Sequence, residues 1–325
     1  MEESKKTGIE EKKPLFTDIY FADPSAHVFE NKIYVYPSHD IDTGVEADDT
    51  GDQYGMRDYH VFSVDFNEGC KDHGVALSIE DIAWAKQQLW APDAAYKNNK
   101  YYLFFPAKDH DDIFRIGVAV SDSPTGPFVA QEKPIEGSYS IDPAVLMDDD
   151  GKAYLYFGGL WGGQLENWKT GKFDLSQTEP KGKERALGPI VAPLTDDLLS
   201  LAAAPQEITI LDQEGNPLLA ENEDCRFFEG AWMHKYNDKY YLSYSTGTKH
   251  TLVYAISDSP MGPFVFQGKI LDPVVGWTTH HSIVEFEGKW YLFYHDSSIS
   301  GRDNLRSVKF TEITYREDGT IVPVK

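Results

Sequence analysis

The chain has 325 residues, of which 53 are acidic and 30 are basic, so that its net charge at pH 7 is −23. This balance disfavours nucleic acids and anionic membranes as partners, because both need a basic surface for electrostatic attraction. A neutral substrate fits the composition better. The two cysteines, Cys70 and Cys225, lie far apart in the sequence and indicate neither a disulfide framework nor a cysteine-rich zinc site.

The first twenty residues are charged and lack the apolar stretch of a secretory signal. We therefore expect a cytoplasmic protein, unless a leader has been removed, with a flexible N-terminal extension over residues 1–15. The sequence leaves assembly into a homo-oligomer open.

Five similar strand segments recur along the chain, and each begins with a polar turn followed by alternating aromatic and aliphatic residues. In chain order they are NKIYVYP (31–37), NKYYLFFP (99–106), GKAYLYF (151–157), DKYYLSY (238–244) and GKWYLFY (288–294). The period of two residues indicates strands rather than helices, and the turn residues indicate β-hairpins. A second repeated segment, SDSPTGPF (121–128) and SDSPMGPF (257–264), supports a repeated supersecondary unit.

Repeats of this spacing, each rich in short strands, are typical of four-stranded blades arranged around a central axis. We therefore predict an all-β fold, a five-bladed β-propeller with a central axial active site. No linker-like stretch interrupts the repeats, so the prediction is a single domain over residues 1–325. The long segment between the third and fourth hairpins, residues 162–227, is expected to form a helix or a lid that borders the central cleft.

One acidic residue or histidine precedes each strand segment by roughly six to nine positions: Asp23, Asp93, Asp142, Glu229 and His280. The innermost strand of each propeller blade lines the axis, so these side chains are expected to converge there. Burial alone would penalise such a cluster, which favours a function for it. A single aspartate before a proline, as in Asp23-Pro24 and Asp142-Pro143, is commonly a turn residue. Its recurrence at one structural position favours catalysis instead.

Five stretches that contain these residues resemble glycoside hydrolase family 43, in the same order along the chain: ADPSAHVFENKIYVYPSHD, LWAPDAAY, SIDPAVLMDDDGKAYLYFGG, FFEGAWMHKYNDKYYLSYS and THHSIVEFEGKWYLFYH. The resemblance spans nearly the whole chain. It implies a five-bladed propeller and an inverting mechanism that acts on β-xylosides, α-L-arabinofuranosides or related plant-wall sugars.

The resemblance also implies roles for three carboxyl groups. Asp23 matches the family's general base, Asp142 its pKa-modulating aspartate and Glu229 its general acid. Inverting hydrolysis needs one carboxylate that activates water and one protonated carboxyl group that releases the leaving group. We expect Asp23 to be ionised and Glu229 to be protonated near neutral pH, because an ionised Asp142 beside Glu229 would raise its pKa by repulsion.

Four further residues are expected to bind the sugar. Trp90 and Trp161 match aromatic residues that border the family's sugar subsite, although a tryptophan at either position could instead pack within or between blades. Asp93 is expected to touch the substrate or, alternatively, to bond the backbone at the mouth of its blade. Arg306 resembles an arginine that reaches into the subsite or orients a carboxylate, and the alternative is an ion pair at the surface.

His280 resembles a family histidine that approaches a divalent cation on the axis. We expect calcium there, held mostly by water oxygens, because hard cations prefer oxygen ligands and one imidazole cannot build a zinc site. The alternative is a histidine packed in the core. Its neighbour His281 is expected to point the opposite way and pack between blades. No organic cofactor is expected.

These residues favour an inverting, exo-acting β-1,4-xylosidase that releases xylose from short xylo-oligosaccharides in xylan degradation. An α-L-arabinofuranosidase, or an enzyme with both activities, is the alternative that the sequence does not separate from it. A more remote alternative is an inactive propeller that only binds carbohydrate. The three acids argue against that alternative, because a binding site alone would not require a protonated Glu229.

Overall fold

The computed structural model describes residues 8–325, which form five mainly antiparallel sheets built from short strands. The first sheet contains β1 (Tyr20–Phe29), β2 (Lys32–Asp40), β3 (Asp58–Asp65) and β4 (Gly69–Ser78) in chain order. The second contains β5 (Asp93–Lys97), β6 (Lys100–Lys108), β7 (Phe114–Ser121) and β8 (Val129–Ala130), and the third contains β9 (Ala144–Met147), β10 (Ala153–Phe157), β11 (Ile190–Pro193) and β12 (Gln206–Glu207).

The fourth sheet adds a short parallel strand at its outer edge, β13 (Ile210–Leu211), to β14 (Phe227–Tyr236), β15 (Lys239–Thr246), β16 (Leu252–Ser257) and β17 (Phe264–Leu271). The fifth has three strands, β18 (His281–Phe286), β19 (Lys289–Asp296) and β20 (Ser307–Ile313). Short 3₁₀ helices span Ile79–Asp81, Trp161–Gly163 and Leu165–Trp168. Within residues 8–325, no helix has the length and apolar character that a membrane crossing requires.

Two-residue turns join the first two strands of four sheets, as the turn residues predict. In the first sheet Phe29 pairs with Lys32, and the turn residues Glu30 and Asn31 have φ values of 51° and 57°. Two consecutive residues with positive φ define a type I′ turn, whose twist matches that of the flanking strands. The third hairpin differs, because Met147 pairs with Ala153 across a longer loop.

The first strands of neighbouring sheets contact one another in cyclic order: β1 with β5, β5 with β9, β9 with β14, β14 with β18, and β18 with β1. This ring around one axis makes the sheets the blades of a five-bladed propeller and confirms the predicted fold class. The central aliphatic side chain of each second strand is fully buried, which explains the recurring sequence pattern; these residues are Val35, Leu103, Leu155, Leu242 and Leu292.

The N-terminal segment closes the propeller by adding to the outer edge of the fifth blade. Lys12 N–H donates to the Phe310 carbonyl at 2.8 Å, and Leu15 N–H donates to the Val308 carbonyl at 2.8 Å. Leu15 also packs into the apolar cluster between the fifth and first blades. Part of the predicted extension, residues 8–15, therefore packs on the fifth blade. Residues 1–7 of that prediction lie outside the described residues.

The long segment over residues 162–227 supplies outer strands of the third and fourth blades, β11 to β13, rather than a lid. Its beginning borders the cleft through the short helix Trp161–Gly163. The stretch from Leu194 to Leu201 is a turn closed by a bridge between those two residues. The predicted helix is thus limited to two short 3₁₀ turns at the start of the segment, Trp161–Gly163 and Leu165–Trp168.

Candidate active site

A cleft opens at the propeller axis, with charged side chains at its base and aromatic side chains on its walls. Seven of the predicted site residues line it: Asp23, Trp90, Asp142, Trp161, Glu229, His280 and Arg306. The first, third, fourth and fifth blades contribute the charged groups. The fold therefore brings together residues that are separated by up to 283 positions in the sequence, such as Asp23 and Arg306.

Asp23 lies in β1 where the pairing with β2 shifts register between Ala22 and Ser25. Its backbone is left-handed, with a φ of 49°, a conformation that aspartate tolerates better than most residues. Its N–H donates to Nδ1 of His295 at 2.9 Å, so that this nitrogen must carry a lone pair rather than a proton. Burial lowers the pKa of His295 to about 3, which keeps the ring neutral. The bulge thus holds Asp23 at a fixed position at the base of the cleft.

The carboxylate of Asp23 is bound by a buried guanidinium. Nη1 of Arg306 donates to Oδ1 of Asp23 at 2.9 Å, and Nδ1 of His280 lies 3.6 Å from the same oxygen. Burial favours the protonated acid, but the charge of Arg306 and the contact with His280 outweigh it and hold the pKa of Asp23 well below its usual range. Asp23 is therefore ionised at neutral pH, as predicted for a general base.

Arg306 is itself fixed by Asp40, a residue that the sequence analysis did not select. Nε and Nη2 of Arg306 each donate to an oxygen of Asp40 at 2.8 Å. Arg306 is 3% exposed and its guanidinium lies over the ring of Tyr54, 4.9 Å from the centroid. These contacts exclude the alternative of a surface ion pair. The fork of Arg306 joins two carboxylates in a geometry that a lysine could not reproduce.

Asp142 precedes β9 and also has a left-handed backbone, with a φ of 56°. Its Oδ2 accepts a hydrogen bond from the N–H of Gly230 at 2.9 Å, which places the carboxyl group beside the residue that precedes Gly230, Glu229. Burial raises the pKa of Asp142 to about 6, opposed by His280 and reinforced by the charge of Asp23. The pKa of Asp142 therefore lies between that of Asp23 and that of Glu229.

Glu229 lies in β14 between two register shifts, one on each side of it. Burial, and after it the negative charge of Asp142, raises the pKa of Glu229 to about 8. The carboxyl group is therefore mainly protonated at neutral pH. The predicted repulsion by Asp142 contributes to this shift, but loss of solvent is the larger cause.

His280 lies within the same group of charges, at the first residue before β18. Burial lowers its pKa, but the negative charges of Asp142, Asp23 and Glu229 raise it above the usual value. Across residues 8–325, no group of three ligating side chains at metal-binding distance includes His280. These residues can thus offer a cation one imidazole nitrogen, with water as the remaining ligands. His281 points away, and its Nε2 lies 2.6 Å from Oγ of Ser243 between the fourth and fifth blades, as predicted.

Asp93 is absent from the lining of the cleft and connects three blades instead. Its Oδ1 lies 2.6 Å from Nε2 of His27 and accepts the N–H of Ala94 at 2.7 Å. Its Oδ2 accepts the N–H of Val145 at 2.5 Å. The residue is 1% exposed. The predicted contact of Asp93 with substrate is therefore corrected, and its alternative role as a backbone partner is the one that the structure has.

The aromatic walls of the cleft come from several loops. Trp90 packs against Phe114, with ring centroids 4.7 Å apart, and its Nε1 donates to the carbonyl of Tyr54 at 2.7 Å. Trp161 packs against Trp277, with centroids 6.0 Å apart. Trp277 is 39% exposed and was not selected from the sequence, although its position three residues before His280 was a signal that it lies near the axis.

An ionised and a protonated carboxyl group in one axial cleft are the pair of groups that glycoside hydrolysis uses. The sequence profile of glycosyl hydrolases family 43 matches residues 21–321, and the chain belongs to that family. It is 60% identical over 323 residues to xylosidase/arabinosidase 43A of Humicola insolens, with 96% of this chain and 99% of that protein covered. It is 52% identical over 317 residues to the beta-xylosidase of Xylanibacter ruminicola, with 96% and 99% covered.

Solved structures agree with these relatives. The fold superposes with a TM-score of 0.95 on a family 43 beta-xylosidase/alpha-arabinofuranosidase from a compost microbial metagenome, which was solved with xylotriose in a calcium-free form. That protein is 60% identical, and 98% of each chain is covered. The family 43 enzyme of Xanthomonas citri in complex with xylotriose has a TM-score of 0.92 at 52% identity, with 96% of this chain and 93% of that chain covered.

Proposed function

We propose that this glycoside hydrolase is an exo-acting β-1,4-xylosidase that releases xylose from short xylo-oligosaccharides with inversion at the anomeric carbon. The proposal rests on the opposite pKa shifts of Asp23 and Glu229 in one cleft, which match the base and the acid that act together in the single displacement of inverting hydrolysis. The names of the relatives support xylose as the sugar, and xylotriose is the ligand in two similar structures.

In this mechanism the ionised Asp23 removes a proton from a water molecule as that water attacks the anomeric carbon. Glu229 gives its proton to the glycosidic oxygen, so that the leaving sugar departs as a neutral alcohol. Asp142 supports this step because its charge adds to the effect of burial on Glu229. Arg306 keeps Asp23 ionised and in place, and Asp40 in turn fixes the orientation of Arg306.

The cleft walls suit a neutral sugar. Trp90 and Trp161 present aromatic surface to the cavity, on which the C–H faces of a pyranose can pack. The exposed Trp277 extends this surface next to Trp161. Charged groups are concentrated at the base, where the reacting bond would lie.

Two relatives are named xylosidase/arabinosidase, which favours α-L-arabinofuranosidase as a second activity of this enzyme. Nitrophenyl β-D-xyloside and nitrophenyl α-L-arabinofuranoside test the two activities directly. We expect release from the xyloside, and proton NMR of xylobiose hydrolysis should show α-xylose as the first product. Formation of β-xylose first would contradict inversion, and no release from either substrate would favour a binding protein.

We also propose that His280 anchors a divalent cation, calcium by its preference for oxygen, with water completing the coordination shell. The support is the position of this imidazole beside three carboxyl groups at the axis. Chelation with EDTA should then lower the activity, calcium should restore it, and His280→Ala should respond little to either treatment. Full activity of exhaustively chelated wild-type protein would contradict the cation. The cytoplasmic location and any homo-oligomer stay predictions.

A further inference from the structure

A second cluster of polar side chains lies on the first blade, outside the lining of the central cleft. It consists of His39 at the end of β2 and of Asp58 and His60 at the start of β3. Asp58 and His60 are two residues apart on one strand and therefore share a face of the sheet. One ligating atom of each residue lies within 4.8 Å of those of the other two. We refer to these three residues as the blade-one cluster.

The ring nitrogens of this cluster face Asp58, and without an ion His39 forms a hydrogen bond with its carboxylate. Nδ1 of His60 lies 3.0 Å from both carboxylate oxygens of Asp72 on β4. That contact places the proton on Nδ1, so that the lone pair is on Nε2, which lies 3.8 Å from Oδ1 of Asp58. Histidines that bind a metal commonly donate their other ring N–H to a carboxylate, which orients the ring without binding the metal itself. Nδ1 of His39 lies 2.6 Å from the same Asp58 oxygen.

The blade-one cluster packs against an aromatic side chain and is also partly exposed to solvent. Phe21 packs under both imidazoles, with ring centroids 5.7 Å from His39 and 5.4 Å from His60. The side chains of His39, His60 and Asp58 are 18%, 11% and 27% exposed, so a hydrated ion can reach them from solvent.

We propose that the blade-one cluster is a zinc site, with His39, Asp58 and His60 as ligands, Asp72 as the outer partner and water in the fourth position. Two imidazoles and one carboxylate are donors typical of zinc, whereas calcium and magnesium prefer an all-oxygen set. Zinc takes the place of the proton that His39 shares with Asp58, so these two side chains move apart from their 2.6 Å contact when the ion binds. The ion joins β2 and β3, and Asp72 on β4 supports it through His60. The site lies next to Asp40, which follows His39 in the chain and holds Arg306.

The experiment uses the full chain, treated with chelator and dialysed, and measures zinc binding by calorimetry, metal content by mass spectrometry and the melting temperature Tm. We expect one zinc ion per chain. At a free zinc concentration one hundred times the Kd, Tm should rise by about 4 °C, as linkage predicts for a chain of this size. Absence of zinc uptake, or an unchanged Tm at saturation, would overturn the proposal.

Variants locate the ion. His39→Ala and His60→Ala should each lose the Tm shift, and Asp72→Asn should weaken binding by about 10- to 100-fold. His110→Ala, which changes an exposed histidine outside the cluster, should bind like the wild type. If an alanine variant does not fold, Asp58→Asn replaces it. Zinc that is lost from His280→Ala but kept by His39→Ala would place the ion in the central cleft and overturn the assignment.

Discussion

Asp23 is buried and Glu229 is partly buried in the same cleft, yet their pKa values shift in opposite directions. Burial raises the pKa of each carboxyl group, because the charged form loses its hydration. Asp23 is contacted by the guanidinium of Arg306 at 2.9 Å, whereas the charge that most affects Glu229 is the negative one of Asp142. The guanidinium of Arg306 therefore separates the two roles, because it lowers the pKa of the carboxyl group that it contacts. Asp23 becomes the base, and Glu229 keeps its proton and becomes the acid.

The two sides also differ in how the backbone holds them. On the side of the first and fifth blades, Asp23 is fixed by His295 and Arg306, and Arg306 by Asp40. On the side of the third and fourth blades, a single backbone hydrogen bond links Asp142 to the strand that carries Glu229. Asp23 is therefore held by the side chains of His295 and Arg306, whereas the side of Glu229 is held through the backbone N–H of Gly230. Four substitutions test this difference.

Removal of either proton-transfer group should have the largest effect. Asp23→Asn and Glu229→Gln each should lower kcat on xylobiose by about 10²- to 10⁴-fold, the usual contribution of general acid–base catalysis. Glu229→Gln should be less harmful on an aryl xyloside, whose leaving group needs little protonation. Steady-state kinetics on both substrates, with Tm as the control for folding, measure this. Equal losses of Glu229→Gln on the two substrates would contradict its role as the acid.

Replacement of Arg306 tests why Asp23 is ionised. Arg306→Gln should raise the pKa of Asp23, because the charge that lowers it is lost. The acidic limb of the pH profile should then move to higher pH, and kcat/KM should fall by about 10²-fold. Arg302→Gln is a matched control, since Arg302 forms an exposed pair with Asp42. An acidic limb that stays in place in Arg306→Gln would show that Arg306 does not keep Asp23 ionised.

Replacement of Asp142 tests why Glu229 is protonated. Asp142→Asn should lower the pKa of Glu229, so the acid loses its proton earlier and the basic limb of the pH profile moves to lower pH. Because burial is the larger cause of the raised pKa, that shift should be partial. The dependence of kcat/KM on pH measures it. A basic limb that does not move would mean that burial alone sets the protonation of Glu229.

Asp93 provides the contrast with a buried carboxyl group that lies away from the cleft. Asp93→Ala should destabilise the fold by about 1–3 kcal/mol, because it leaves N–H groups of Ala94 and Val145 without their acceptor. The kcat/KM of the folded variant should remain close to that of the wild type. Thermal melts and kinetics separate the two effects. A raised KM at an unchanged Tm would instead place Asp93 in contact with the substrate.

The blades and their number were predictable because their signals are local. The period of two residues, the turn pairs such as Glu30-Asn31 and the buried aliphatic residue of each second strand lie within a few positions of one another. The same repeats place one polar residue per blade in a common register, which identified Asp23, Asp142 and Glu229 before any contact was known. The register also selected Asp93 in error, since position in a repeat does not state which partners a side chain meets.

The partners were decided by the tertiary structure alone. Asp40 binds Arg306 across 266 positions of sequence, and Asp23 binds it across 283, so no pattern within a hairpin can indicate either contact. The same holds for residues 8–15, whose backbone finds its hydrogen-bond partners in the last strand of the fifth blade. Ring closure brings residues 8–15 against the last strand of the fifth blade, and that closure places the guanidinium of Arg306 beside Asp23 rather than beside Glu229. The sequence by itself determined the five blades and placed Asp23, Asp142, Glu229 and His280 on the inner side of their blades, because those signals are local. The closed ring decided which partners each of these side chains meets, because the partners come from distant parts of the chain.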